Sequence, residues 1–369
     1  MGEGRGVSDP RRVITAQIGE TRYPIRLGAG AIADLGGRWP ESVSGDAVLL
    51  VYDENVAHIA KSVRESVERA GKRVSLAPVA PGEPSKSLSS VERLCRDAAR
   101  AGIRRRDGVV AVGGGVLGDL AGFVAAAYQR GIGLIHVPTS LLAMVDSAVG
   151  GKTGVDLPEG KNYVGAIWQP AMVVMDTSAL DSLPARELSC GFAEVIKYGL
   201  LDGPELFGLV EGWPRLPGPH DALVDLIQRC VEHKLRVVAA DERDLGMRAT
   251  LNLGHTIGHG IEAAAGYARY QHGEAISLGL LAALRISSHL TGLPESWRDR
   301  TQAVIARHDL PVRLDPEVGT AEILDAAKRD KKADGRALNM VVLEDVGVPS
   351  INADPAQSLV AAAIEELRE

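Results

Sequence analysis

Val109-Val110-Ala111-Val112-Gly113-Gly114-Gly115-Val116-Leu117-Gly118-Asp119 decides the reading of this chain. An apolar run of this kind is a buried strand. It enters a glycine turn and then a helix, read here from Leu120 to Tyr128. Glycines let a backbone approach a ligand closely, and a new helix aims its N–H groups and positive dipole end outward. That combination suits a pyrophosphate. Gly113, Gly115 and Gly118 also fit the G-x-G-x-x-G spacing of dinucleotide sites. A plain strand–helix turn also favours glycine, so the motif gains meaning only from what surrounds it.

Upstream, Ala47 to Tyr52 reads as a buried strand ending at Asp53, Val56 to Ala70 as a helix, and Arg73 to Ala77 as a strand. Leu88 to Ala101 reads as a helix. Leu134–Val137 and Met172–Met175 are further strands. Strands alternating with helices imply an α/β fold with a parallel sheet and a ligand at the strands' carboxyl ends. Asp53 stands where an acid could hold an adenosine ribose.

The character changes after Pro184. Ala185 to Leu200, Ala222 to Ala240, Thr250 to Ala265, Glu274 to Leu290, Arg298 to His308 and Ala356 to Arg368 carry helical periodicity. A hairpin is expected around Ala337–Leu343 and Val346–Ile351, and an exposed proline-bearing loop from Gly212 to His220. The expected plan is a Rossmann-like domain over 1–183 and a mainly helical domain over 184–369.

At 369 residues the chain has room for two such cores. Aromatic residues make up only 4 %, so Ala, Val and Leu must fill them. A net charge of −7 argues against a duplex nucleic-acid partner. Cys95, Cys190 and Cys230 are few and far apart, which suits a reducing cytoplasm and shows no zinc-knuckle spacing. Met1 to Arg12 is polar and glycine-rich, unlike a signal peptide, and Ala275 to Leu284 is too short to span a bilayer.

The second half concentrates the chemistry. His255 and His259 stand four apart in Gly254-His-Thr-Ile-Gly-His-Gly-Ile-Glu262, on one helix face, as a divalent metal would need. His272, in Gln271-His-Gly-Glu274, is a third candidate, and Glu194 shares a helix face with Lys197. Spacing alone pairs His255 with His259. Cations gather in the same motif segments: Arg130, Lys152, Lys161, Lys197, Lys234, Arg248 and Lys331/Lys332. An acidic chain that places them so points to a strongly anionic small ligand.

Taken in order, several segments resemble the 3-dehydroquinate synthases, a family of sugar-phosphate cyclases. They are the glycine turn, Pro138-Thr139-Ser140-Leu141-Leu142-Ala143, Asp146, Gly150-Gly151-Lys152-Thr153-Gly154-Val155, Gly160-Lys161-Asn162, Glu194-Val-Ile-Lys-Tyr-Gly, Asn252-Leu-Gly-His-Thr-Ile-Gly-His and His272-Gly-Glu. The resemblance runs from about Val13 to the last helix. It implies conversion of 3-deoxy-D-arabino-heptulosonate 7-phosphate to 3-dehydroquinate and phosphate, with catalytic NAD and one zinc or cobalt ion.

By the same resemblance Glu194, His255 and His272 hold the metal, and His259 is left to the substrate. Lys152, Asn162, Arg130 and His259 face the phosphate. Arg248, Asn252, Lys234 and Lys332 (or Lys331) line the rest of the substrate pocket, and Lys197 joins the catalytic set. For NAD, Asp53 and Asn55 serve the adenosine end with Glu83 and Lys86 nearby, and Gly114, Gly115, Val116, Gly118 and Asp119 take the pyrophosphate. Thr139, Ser140, Asp146, Lys152 and Lys161 run towards the nicotinamide, and Ala179, Leu180, Asp181 and Ser182 close the site. The family usually has Thr-Thr at Thr139-Ser140. A homodimer is the family expectation. Rival readings are another sugar-phosphate cyclase, an iron-type polyol dehydrogenase and a non-catalytic nucleotide-binding regulator.

Overall fold

The structure is a computed structural model describing residues 12–216, 218, 220–332, 339–353 and 355–369, with no side chains for 220, 329–332 and 353. Two compact units divide the chain: Met1–Leu183 with Pro219–Gln228, and Pro184–Gly218 with Arg229–Glu369. A single change of character near Leu183 does not anticipate the return of 219–228 to the first unit.

In the first unit β1 (Arg12–Ile18) and β2 (Thr21–Leu27) form an antiparallel hairpin. Then follow β3 (Ala47–Asp53), α1 (Ala57–Arg69), β4 (Arg73–Val79), α2 (Leu88–Arg100), β5 (Gly108–Gly113), α3 (Gly115–Ala127) and β6 (Gly133–Pro138). A second hairpin, β7 (Lys152–Leu157) and β8 (Gly160–Ile167), precedes β9 (Met172–Met175). The main sheet has seven strands in the order β1-β2-β9-β6-β5-β3-β4. All its pairs are parallel except β1 with β2. Every residue of β5 is buried, as expected for a strand covered on both faces. Its Val109 and Ala111 pack with Leu49, Val51, Leu94, Leu120 and Val124 in a core almost free of aromatics.

Two expectations need correction here. The β1–β2 and β7–β8 hairpins were not foreseen. In β1 the alternation is plain once seen, with Ile14, Ala16 and Ile18 buried and their neighbours exposed. Helix α3 begins at Gly115, not Leu120, so Gly115 and Gly118 lie inside its first turn. The glycines serve packing as well as turning. A Cβ on Gly115 would lie 2.9 Å from Ser147 Oγ, and one on Gly122 would lie 2.4 Å from Thr153 Cγ2. Helix α3 therefore sits close against the turn Ala143–Ser147 and against β7.

The second unit runs through α4 (Ala185–Asp202), α5 (Pro204–Glu211), α6 (His220–Ala240), α7 (His255–Ala264), α8 (His272–Thr291), α9 (Ser296–Arg307) and α10 (Thr320–Lys332). The hairpin β10 (Asn339–Asp345) and β11 (Val348–Ala353) and the helix α11 (Gln357–Glu365) complete it. Buried α8 is the spine, packed against α4, α7, α9, α11 and β10. The sequence reading missed α5 and α10. It also made one helix of 250–265, where the structure has a 3₁₀ turn, Met247–Asn252, and then α7. Gly254 at φ 78° breaks the run. There α7 and α8 meet backbone to backbone: a Cβ on Gly279 would lie 2.1 Å from Gly254 O. The loop after Gly212 is not wholly exposed, because Trp213 is buried. Pro217, Pro219, Ala337 and Leu338 lie outside the described residues.

Candidate functional site

Three side chains from three helices converge in the second unit. Glu194 lies midway along α4, His255 opens α7 after the left-handed Gly254, and His272 opens α8. The helix start that carries His272 is firmly held. Gln271 and Glu274 form a capping box, and Glu274 accepts two hydrogen bonds from Arg186 of α4, at 2.7 and 2.8 Å. A Cβ on Gly273 would lie 2.1 Å from Cys190 O, so α8 begins hard against α4.

Glu194 is fully buried. His255 Nε2 and His272 Nε2 each lie 3.4 Å from Glu194 Oε1. Two donors bound at zinc distance to one tetrahedral ion stand about 3.4 Å apart. A fully buried carboxylate whose Oε1 faces two imidazole nitrogens at that spacing fits a divalent cation. On the other side Lys197 Nζ forms an ion pair with Glu194 Oε2. Burial would raise the Glu194 pKa, but Lys197, then His255 and His272, hold it well below the usual carboxylate range. His255 is lowered, chiefly by burial. His272 is pushed up to about 10: burial opposes this, and hydrogen bonds to Glu194 and Glu262 outweigh it. A cation at Nε2 would compete with that proton.

Among the described residues two groups of donors lie within 4.8 Å of one another, Glu194–His255–His272 and His259–Glu262–His272. Neither contains both His255 and His259, so the pairing read from spacing is corrected. One helix face is shared, but the third donor comes from α8. The His259 ring lies 5.3 Å from that of His255 and 5.9 Å from that of His272.

Nearby in the second unit, Arg248 and Lys234 are buried and Asn252 half-buried. Arg248 Nη1 donates to Glu242 O at 2.6 Å, and its main-chain N–H donates to Asp241 Oδ2 at 3.0 Å. Asp241 also accepts from Leu245 and Gly246 N–H at 2.9 and 2.8 Å, so one carboxylate shapes the loop that delivers Arg248. The Lys331 and Lys332 side chains lie outside the described residues.

In the first unit Gly114 caps α3, and Gly115, Val116, Gly118 and Asp119 form its first turn. Buried Lys86 donates to Asp119 Oδ2 at 2.7 Å and to Asn162 Oδ1 at 2.5 Å. Lys161 Nζ lies 4.0 Å from Glu83. The helix start is thus edged by Glu83, Lys86, Lys161 and Asn162. Asp53 ends β3 and accepts from Asn55 N–H at 2.8 Å. Thr139 N–H donates to Gly113 O, Ser140 Oγ accepts from Ala143 N–H, and Asp146 sits in the turn Ala143–Ser147. Ala179, Asp181 and Ser182 line a cleft of about 610 Å³ with Gly30, His58 and Asp176, while Leu180 is buried beside it. Lys152 starts β7 and is exposed, as is Arg130 in the turn after α3 at φ 63°.

The sequence reading missed Asp156, Asp241 and Glu262. Their signals were faint: an acid at the bend of a hairpin, an acid before a glycine loop, and an acid two turns along the helix from His255.

Comparison with known proteins supplies the frame. The family model for the N-terminal part of 3-dehydroquinate synthase matches residues 76–190, and that for the C-terminal part matches residues 191–333. Proteins named 3-dehydroquinate synthase from two strains of Acidithiobacillus ferrooxidans are 41 % identical over 97 % of this chain and 99 % of their own length. The crystal structure of 2-deoxy-scyllo-inosose synthase with carbaglucose-6-phosphate, NAD+ and Co2+ superposes with TM-score 0.86 at 27 % identity, covering 96 % of this chain and 99 % of that one. A 2-epi-5-epi-valiolone synthase from Streptomyces hygroscopicus subsp. jinggangensis, with NAD+ and Zn2+ bound, gives TM-score 0.83 at 26 % identity, covering 95 % and 98 %. With both halves matched in tandem and relatives of equal extent, the chain belongs to the 3-dehydroquinate synthase family.

Proposed function

We propose that this chain converts 3-deoxy-D-arabino-heptulosonate 7-phosphate to 3-dehydroquinate and phosphate, as a carbon–oxygen lyase of the shikimate pathway. The observation that carries the reading is the buried Glu194 facing His255 Nε2 and His272 Nε2 at 3.4 Å, in a chain of this family. Bound NAD would supply a reversible hydride acceptor, and a zinc or cobalt ion, which Glu194, His255 and His272 would hold, would supply Lewis acidity towards the reacting hydroxyl.

The chain's own residues bind and orient. The N–H groups of the α3 start, from Gly114 to Asp119, suit the NAD pyrophosphate. Asp53 and Asn55 are assigned to the adenosine end, with Ala179 to Ser182 alongside, and Thr139, Ser140, Asp146 and Lys161 to the nicotinamide side. Lys197 keeps Glu194 ionised through their ion pair and leaves Oε1 turned to the imidazoles. Lys152, Asn162, Arg130 and His259 are assigned to the substrate phosphate. Arg248 is assigned to the carboxylate, and Asn252, Lys234 and Lys332 to the remaining polar groups. Arg suits a carboxylate because its planar fork matches two oxygens.

No helix among the described residues is long and apolar enough to cross a membrane. Cys95, Cys190 and Cys230 form no disulfide, which supports a reducing, cytoplasmic setting. Membership of the family supports a homodimer.

The test is to incubate pure protein with the heptulosonate phosphate, zinc and a trace of NAD. Phosphate release should exceed the NAD supplied many times over, with no reduced nicotinamide left at the endpoint. NADH accumulating one for one with product would overturn the reading in favour of a dehydrogenase.

A further inference from the structure

We propose that Glu262 is a positioning residue of the metal site, fixing the tautomer and rotation of His272 so that Nε2 faces the ion. The inference rests on the reading of Glu194, His255 and His272 as metal ligands. An imidazole that binds a cation through one nitrogen must carry its proton on the other, and an acceptor at that second nitrogen sets both tautomer and ring angle. His255 meets this requirement through the backbone: its Nδ1 lies 3.1 Å from Leu253 O, a group that only accepts. For His272 the acceptor is a side chain. Its Nδ1 lies 3.3 Å from Glu262 Oε2, and its Nε2 lies 3.4 Å from Glu194 Oε1. The two imidazoles are therefore held alike, one by a main-chain oxygen and one by a side-chain oxygen.

Glu262 is only 5 % exposed. It stands on α7 seven residues after His255, on the same helix face. Helix α7 thus carries one ligand and the residue that orients another. The group His259–Glu262–His272 could alternatively be read as a second cation site. That would require His272 to lose both ring protons and bridge two cations. A carboxylate accepting from Nδ1–H needs no such loss, which favours the positioning role.

The experiment measures Zn2+ affinity and stoichiometry by competition with a chromophoric chelator in wild type, Glu262→Gln, Glu262→Asp, Glu262→Ala and His272→Ala. The visible absorption of the Co2+-loaded proteins and the thermal midpoint of each metal-free protein are recorded beside it. Glu262→Ala should weaken Zn2+ by about 10–100-fold and alter the Co2+ spectrum. Glu262→Gln keeps an acceptor oxygen and should stay within a few-fold of wild type. Glu262→Asp withdraws the oxygen by one methylene and should weaken binding, which keeps the test decisive if the alanine variant does not fold. Wild-type affinity in the Ala or Asp variant, or a Gln variant as weak as Ala, would overturn the positioning role. Two equivalents of Zn2+ in wild type falling to one in Glu262→Ala would replace it with a second cation site. A wild type that binds no Zn2+, or His272→Ala binding as tightly as wild type, would overturn the ligand reading itself.

Discussion

Asp156 Oδ1 accepts the main-chain N–H of Asn162 at 2.8 Å, and Asn162 holds a left-handed backbone with φ 61°. The hydrogen bond spans the bend between β7 and β8, and Asn162 in turn offers its side-chain oxygen to Lys86. A side-chain-bearing residue in that backbone region is strained by roughly 1–2 kcal/mol, and the Asp156 carboxylate is the group placed to offset it. Replacing Asp156 by Ala should release Asn162. The expected result is a KM for the sugar phosphate about 10-fold higher, the scale of one lost charged hydrogen bond, with kcat little changed and the melting temperature lowered by about 2–4 °C for each kcal/mol lost. Asp156→Asn retains an acceptor and should remain within about threefold of wild type on the same scale. Steady-state kinetics on the two variants decides between them.

Arg248 tests the substrate. Its loop is shaped by three main-chain N–H groups on Asp241, and its guanidinium is almost fully buried. If it meets a carboxylate, Arg248→Lys should lose roughly 2–4 kcal/mol of transition-state binding. The loss should be much smaller with sedoheptulose 7-phosphate, which has no carboxylate. We would compare kcat/KM for both sugars in both proteins. A wild type that prefers the carboxylate-free sugar, and a mutation with little effect, would reassign the substrate and leave the fold and metal centre untouched.

His136 sets a limit on acid tolerance. It lies buried in β6 next to the α3 start, and burial lowers its pKa to about 4. The unfolded chain titrates near 6.5, so it binds the proton first as pH falls. The stabilisation is fully present above about pH 6.5 and is lost as pH falls towards 4. By pH 5 the loss is about 2 kcal/mol. His136→Gln removes this titration, so its urea midpoint should fall less than wild type's between neutral pH and pH 5. Parallel pH dependence in the two proteins would refute the assignment.

How much of this was legible in the sequence depends on the kind of signal each residue gives. Val109 to Val112 announces itself because a strand buried on both faces is apolar without interruption. The β1–β2 hairpin sends a fainter signal, since its alternation is blurred by exposed Val13 and by Pro24 within β2. Helix α3 was started too late because Gly115 and Gly118 look like a turn. Only the neighbours Ser147 and Thr153 show why glycine is needed inside that helix. Likewise the step from His255 to His259 states which face of a helix two residues share, but not what stands opposite. That α8 lays His272 beside Glu194 follows from helix packing, which no local pattern encodes. Glu262 and Asp156 escaped notice for a related reason: each acts on a partner's proton or backbone, and such roles leave no mark on composition or spacing.

The glycine contact between α7 and α8 turns a distance between helices into a chemical constant. Because Gly279 lies against the carbonyl of Gly254, the gap between His255 and His272 is set by bare backbones touching. A methyl group at either glycine would act as a wedge driven between two jaws. The bite of the donor set and the packing of the two helices would be strained together.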